Sequence, residues 1–289
     1  MSRLVPLLCA ACVAGIALTA WSQLSASDTT VTIPNVGPES KKPATTPVSE
    51  LLREARMQCT VAAFDTLIGT LIGQVAEQAH QKPADKQQWH QLAEAYLERA
   101  LQRTHLFGMA PGEPTFAELP EEFADDLEAG LAAVLKAREL GDETGELFRI
   151  EAGLMSQHIT GLGTALQWNG KIASALTAAG KLIADDPQLH VALGLRKLLA
   201  PTWLGNDPDK ALEHFEFADK ADNDERPAVF AAMASYLQQK RQQAISWLER
   251  AVKKNPENKF ARVVLQRLRR GEDNPFGRKV TEAEIAAAK

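Results

Sequence analysis

The sequence predicts an all-α chain of stacked helical hairpins, an α-solenoid with a long N-terminal helix and a C-terminal capping helix. Three observations carry this. Ala211, Phe215 and Ala218 form a small–large–small triad at helical spacing, and Ala244, Leu248 and Ala251 repeat it at a constant offset of 33 residues. A helix–turn–helix unit of about 34 residues has that self-similarity. Turn residues punctuate the same register, with Gly205-Asn206-Asp207-Pro208 before the first triad and Pro256 after the second. Aromatic content is low: two Tyr and ten Phe in 289 residues disfavour a sheet-rich fold. A formal net charge of -5 gives no general drive toward nucleic acid, which is excluded as a partner.

Taken in order, residues 1–22 begin with Arg3 and continue into the apolar run 4–20, as an export signal does. Ala20-Trp21-Ser22 and Ser25-Ala26-Ser27 each offer a cleavage site, and the uncleaved alternative is a membrane tether through residues 4–20, close to the minimum span of about 17 residues. Either reading places the protein outside the cytoplasm, in the periplasm or anchored at the membrane. Residues 23–47 contain Pro34, Pro38, Pro43 and Pro47 among Ser and Thr, a composition that predicts a disordered linker.

Residues 48–81 read as one long helix with Phe64, Leu67, Ile68, Leu71, Ile72 and Val75 in a single apolar stripe. Thr66-Leu67-Ile68-Gly69 repeats as Thr70-Leu71-Ile72-Gly73, putting two glycines one turn apart. Close packing on a neighbouring helix of the same chain is the preferred reading; a seam between copies, implying a homo-oligomer, or a membrane contact is the other. Cys59 lies in this stretch with Val61, Ala62 and Ala63 and no adjoining base, so it reads as a small buried hydrophobe rather than a nucleophile.

After Pro83, Trp89, Leu92, Ala93 and Tyr96 stand at the spacing Trp-x2-Leu-small-x2-Tyr. With the triads above, this pattern resembles the tetratricopeptide repeat, whose two-helix units stack over residues 48–271. One departure interrupts it: Gly108, Pro111, Gly112, Pro114 and Pro120 place a loop over residues 104–121, with Leu106, Phe107, Met109 and Phe116 either forming a contact surface or pinning the loop to the body. Gly130, Val134 and Ala137 restore a second-helix pattern, and a first helix follows over 147–158. The interval holding Gly161, Gly163, Trp168 and Gly170 reads as a turn, the next helices as 172–184 and 190–199. Asp207 and Pro208 form a helix start, with a carboxylate cap and a proline at the first helical position. Residues 259–270 form the solvated capping helix and 272–289 a flexible, peripheral tail.

Chemistry is sparse. Nucleophile elbows, zinc-spaced cysteines, His-Glu-x-x-His and phosphate loops are missing, and His90 with Glu94 supplies only two ligands, so the expectation is a non-enzyme without cofactor or metal. Charge is polarised: residues 238–289 carry 13 basic and 6 acidic side chains, a balance of +7 against -12 in the remainder. The tetratricopeptide resemblance implies a concave face lined by first helices that holds a peptide or partner protein. Carried onto this chain it assigns His90, Glu94 and Glu98, and counting onward Arg149, Ser156, Gln157, Gln238 and Arg267. A second, shorter likeness covers the hairpin around Leu199-Ala200-Pro201 and Asp209 to Phe215. It is similar to the tetratricopeptide-type accessory component of tripartite periplasmic transporters, and implies a ligand pocket beside Trp168 and Trp203.

Overall fold

A computed structural model describes residues 48–79, 85–109, 119–201, 205–221 and 224–288. The export or anchor segment 1–22, the linker 23–47, Phe116 and Trp203 lie outside the described residues. All the regular structure of the described residues is helical: α1 (Val48–Gln58), α2 (Val61–Ala79), α3 (Lys86–Thr104), α4 (Glu121–Glu139), α5 (Gly145–Gln157), α6 (Leu162–Leu182), α7 (Pro187–Leu199), α8 (Pro208–Ala221), α9 (Arg226–Leu237), α10 (Arg241–Lys254), α11 (Lys259–Arg270) and α12 (Glu282–Ala287). α3 pairs with α4, α5 with α6, α7 with α8 and α9 with α10; the first helices also touch in series, α3 on α5, α5 on α7 and α7 on α9. The result is an all-α stack of consecutive hairpins in the manner of the tetratricopeptide repeat.

The small–large–small triads explain the stacking. Ala211, Phe215 and Ala218 on α8 and Ala244, Leu248 and Ala251 on α10 are all fully buried. Val134 and Ala137 on α4, and Ile172, Leu176 and Ala179 on α6, occupy the same places in their hairpins. A Cβ added at Gly194 would sit 2.5 Å from Phe215, so α7 reaches α8 only because that position has no side chain. Side chains cap the starts: Asp186 accepts from the Leu189 amide at 2.7 Å, Asp207 from Lys210 at 3.1 Å and Asn258 from Ala261 at 2.9 Å.

Four expectations need correction. The N-terminal stretch is two helices rather than one, bent at Cys59, whose φ is +50°. Gly69 and Gly73 do not pack on a neighbouring helix; a Cβ at either would meet open space. The glycine-rich interval around Trp168 belongs to α6, which starts at Leu162. The tail is not peripheral: Phe276, Val280, Ile285 and Ala288 are buried in the C-terminal core, and α12 carries a capping box from Thr281 and Glu284. This tail also receives the start of the 104–121 loop. The Met109 amide donates to the Phe276 carbonyl and the Val280 amide to the Leu106 carbonyl, each at 2.8 Å, while Leu106 and Met109 pack on the same core. Gly108 has φ +87° and a Cβ there would lie 2.8 Å from the Phe276 carbonyl oxygen, so the crossing demands glycine. These described loop residues pin the loop to the body.

Candidate functional site

The first helices converge on a charged centre. Glu94 and Glu98 stand one turn apart on α3, Arg149 projects from α5, Asp186 caps α7, and Asp224 and Arg226 stand at the start of α9. Arg56, at the end of α1, enters between them. Its Nη2 lies 3.0 Å from Glu94 Oε1 and 2.9 Å from Glu98 Oε1. Arg149 Nη2 reaches Glu94 Oε1 at 3.2 Å and its Nε lies 3.9 Å from Asp186 Oδ1. Arg226 Nη1 holds Glu98 Oε2 at 2.9 Å, and Arg226 Nε holds Asp224 Oδ2 at 2.8 Å. Gln188 accepts from Arg226 Nη2 at 3.3 Å.

Burial makes these pairs strong. The Glu98 side chain is 6% exposed and those of Arg56 and Arg226 are 23% and 22% exposed. Burial alone would favour the neutral acid at Glu94, but Arg149 and Arg56 outweigh it and hold the carboxyl down at about 2. The same opposition at Asp224 ends well below the ordinary carboxylate range, because Arg226 donates to it directly. Beside it, burial and the Asp224 charge push the Glu225 carboxyl up; that group accepts from Asn258 Nδ2 at 2.9 Å. Next to Arg56, Gln102 Nε2 donates to the Cys59 carbonyl at 2.8 Å and Asn255 Nδ2 lies 3.4 Å from Cys59 Sγ. Burial pushes the Cys59 thiol up to about 12, so it stays protonated and unreactive, a buried small side chain.

Of the residues assigned from the sequence, Glu94, Glu98 and Arg149 meet at this centre. His90 sits at its edge, its Nδ1 2.9 Å from Asp142 Oδ2, which ties α3 to the α4–α5 turn. Ser156 and Gln157 lie at the far end of α5, where Ser156 Oγ donates to the Ala152 carbonyl at 2.7 Å. Gln238 lies just beyond α9 and accepts from Lys240 Nζ at 2.5 Å. Arg267 is misassigned as a surface residue: it is 1% exposed and donates to the Pro275, Arg278 and Lys279 carbonyls, each at 3.0 Å, and to Glu284 at 2.7 and 2.8 Å. The tail covers the face that repeat counting treats as open. Sequence reasoning missed Arg56, Asp186, Asp224 and Arg226. The last three occupy helix starts, a position that capping preferences flag; nothing in the sequence pattern signals that Arg56 folds back.

A second feature is a surface cleft of about 250 Å³ between α4, α5 and α6, lined by Leu131, Leu135, Arg138, Glu151, Met155 and Trp168 among others. Trp168 stacks on His158 with ring centroids 5.0 Å apart. Among the described residues no group of three or more His, Cys, Asp or Glu side chains is placed to hold a metal ion, and no helix is long and apolar enough to cross a membrane.

No protein-family model matches the chain. No curated protein matches it. Among solved structures, the chain is similar to YrrB, described as a tetratricopeptide-repeat protein with an unusual peptide-binding site, at 14% identity and a TM-score of 0.36, with 74% of this chain and 94% of that chain covered.

Proposed function

We propose that this chain is a non-enzymatic interaction scaffold of the cell envelope that takes a peptide or partner protein on the concave face of its helical repeats. The observation that carries this reading is the convergence of charged side chains from α3, α5, α7 and α9 on one centre, built around Glu94, Glu98 and Arg149. Side chains drawn from four successive first helices suit recognition of an extended or helical segment. The envelope assignment rests on the charged start and apolar run of residues 1–22. The test is capture of partners from a cell-envelope extract with the full chain and with Glu94→Gln and Arg149→Gln variants whose helical content is unchanged. Capture that persists unaltered in both variants refutes a concave partner site.

The cleft beside Trp168 supports a second reading, a ligand-binding accessory of a periplasmic transport system. Its test is intrinsic tryptophan fluorescence during titration with candidate small carboxylates, using Trp168→Phe as control. A signal that stays flat in the wild type, or changes equally in the variant, removes it.

A further inference from the structure

The bend between α1 and α2 has no helix breaker behind it. Cys59 and Thr60 join the two helices, neither is Gly or Pro, and the apolar pattern of residues 48–81 suits one continuous helix. Yet Cys59 adopts φ +50°, a region that L-residues other than Asn and Asp seldom occupy. Locally only the Thr60 cap of α2 and the Cys59 thiol on the Arg56 carbonyl favour the corner; the rest of the hold comes from the repeat stack: Gln102 on the Cys59 carbonyl, Asn255 on its sulfur, and Glu94 and Glu98 on Arg56. Apolar packing of α1 is modest: Leu52 and Ala55 are buried, and Val48 and Leu51 lie partly buried beside them. Arg56 itself fits imperfectly, since its Nε is buried without a hydrogen-bond partner. With Arg56 present, three guanidiniums face four carboxylates at the centre; without it, two guanidiniums face four.

We infer that α1 is a built-in occupant of the concave site, that the Cys59–Thr60 corner is its hinge, and that the partner is a helical segment bearing an arginine that replaces Arg56 between Glu94 and Glu98. Straightening the corner relieves the left-handed residue, joins α1 to α2 and leaves a net acidic seat beside the apolar ledge vacated by Leu52 and Ala55. The occupant that matches both is an amphipathic helix in the image of α1, with a leucine and, one turn on, an alanine–arginine pair. This inference rests on the concave-site reading above and names the partner's chemistry.

The test uses the full chain and, as probe, a blocked, fluorescein-labelled peptide with the sequence of residues 48–58, followed by anisotropy. Arg56→Ala empties the seat and is expected to bind the probe at least tenfold more tightly than wild type, while a probe carrying Arg56→Ala does not bind. Two hinge variants keep every charge. Thr60 Oγ accepts from the Ala63 amide at 3.3 Å and caps α2, so Thr60→Ala favours the straight form and is expected to strengthen probe binding about fivefold. Val61 is the first residue of α2, where proline is accepted in the bent form but breaks a continuous helix, so Val61→Pro is expected to weaken binding at least threefold. Should Arg56→Ala not fold, the opposed responses of the hinge pair decide alone. Equal binding by wild type and Arg56→Ala, equal binding of the arginine-free probe, or hinge variants that move in the same direction overturns the inference. So does a concentration-dependent wild-type dimer that Arg56→Ala abolishes, which would make the occupant a second copy. If no variant binds the probe while Glu94→Gln still abolishes partner capture, the hinge falls and the scaffold reading stands; loss of both removes both.

Discussion

Glu98→Gln asks whether the charged centre is a fixed part of the fold. Both Glu98 oxygens are engaged: Oε1 by Arg56 at 2.9 Å and by Arg226 at 3.2 Å, Oε2 by Arg226 at 2.9 Å. Glutamine preserves volume but offers one acceptor and turns an amide NH₂ toward a guanidinium. Removing one partner of a fully buried ion pair costs about 3–5 kcal/mol. Here Arg226 keeps Asp224, Arg56 keeps Glu94, and both arginines retain some solvent contact, which lowers the expected loss to about 2 kcal/mol. In urea, with a slope of about 3 kcal/mol/M, that is a fall of about 0.7 M in the midpoint. The loss should persist in added salt, because buried pairs are poorly screened. A change below about 0.5 kcal/mol, or one that vanishes in salt, would mean that the pairs are hydrated and contribute like surface bridges.

Three further measurements probe other parts of the chain. Burial, with Lys259 and Arg226 nearby, lowers the His105 pKa from 6.5 to about 4, so the unfolded chain takes up a proton that the folded chain refuses; stability should be full above pH 6.5 and fall by about 3 kcal/mol toward pH 4. His105→Leu should flatten that slope in urea melts taken across the interval, and an unchanged slope would acquit His105. Gly194→Ala should destabilise by about 1–2 kcal/mol, because overpacking against Phe215 outweighs the helix propensity gained, whereas Gly170→Ala, with nothing within 4 Å, should stabilise by about 1 kcal/mol; equal effects in thermal melts would refute the close crossing. Arg267→Met strands the tail carbonyls and Glu284, so it should cost about 3 kcal/mol and release the chain after Gly271 to limited proteolysis, read by intact mass; a protected tail would contradict its role.

Much of the fold was legible because a repeat writes itself more than once: the triads on α8 and α10 fix register without any knowledge of contacts. The same register placed Glu94, Glu98 and Arg149 on a common face, and they do meet. It failed where residues outside the repeat intervene. Phe276 and Val280 lie on the irregular segment between α11 and α12, where no regular period ties apolar residues to one face, so their burial leaves no signature, and Arg267 looked exposed only because the tail that covers it lies outside the repeat. The bend at Cys59 is the clearest case, since the apolar pattern suits a straight helix there and, beyond the Thr60 cap, distant residues, Gln102 and Asn255 among them, hold it bent.

The hydrogen bonds between residues 106–109 and 276–280 alter how the stack must come apart. An open array of repeats touches only its neighbours, so it loosens from its ends one unit at a time. Here the insert after the first hairpin's leading helix is stitched to the segment after the last helix of the array, which makes each end the other's cap. Fraying at either terminus then requires breaking a junction that closes a loop of well over a hundred residues, and such distant pairings form late in folding. Unfolding should accordingly be a single cooperative event, slow to begin, and hydrogen exchange in α3 and α11 should rise together rather than in sequence.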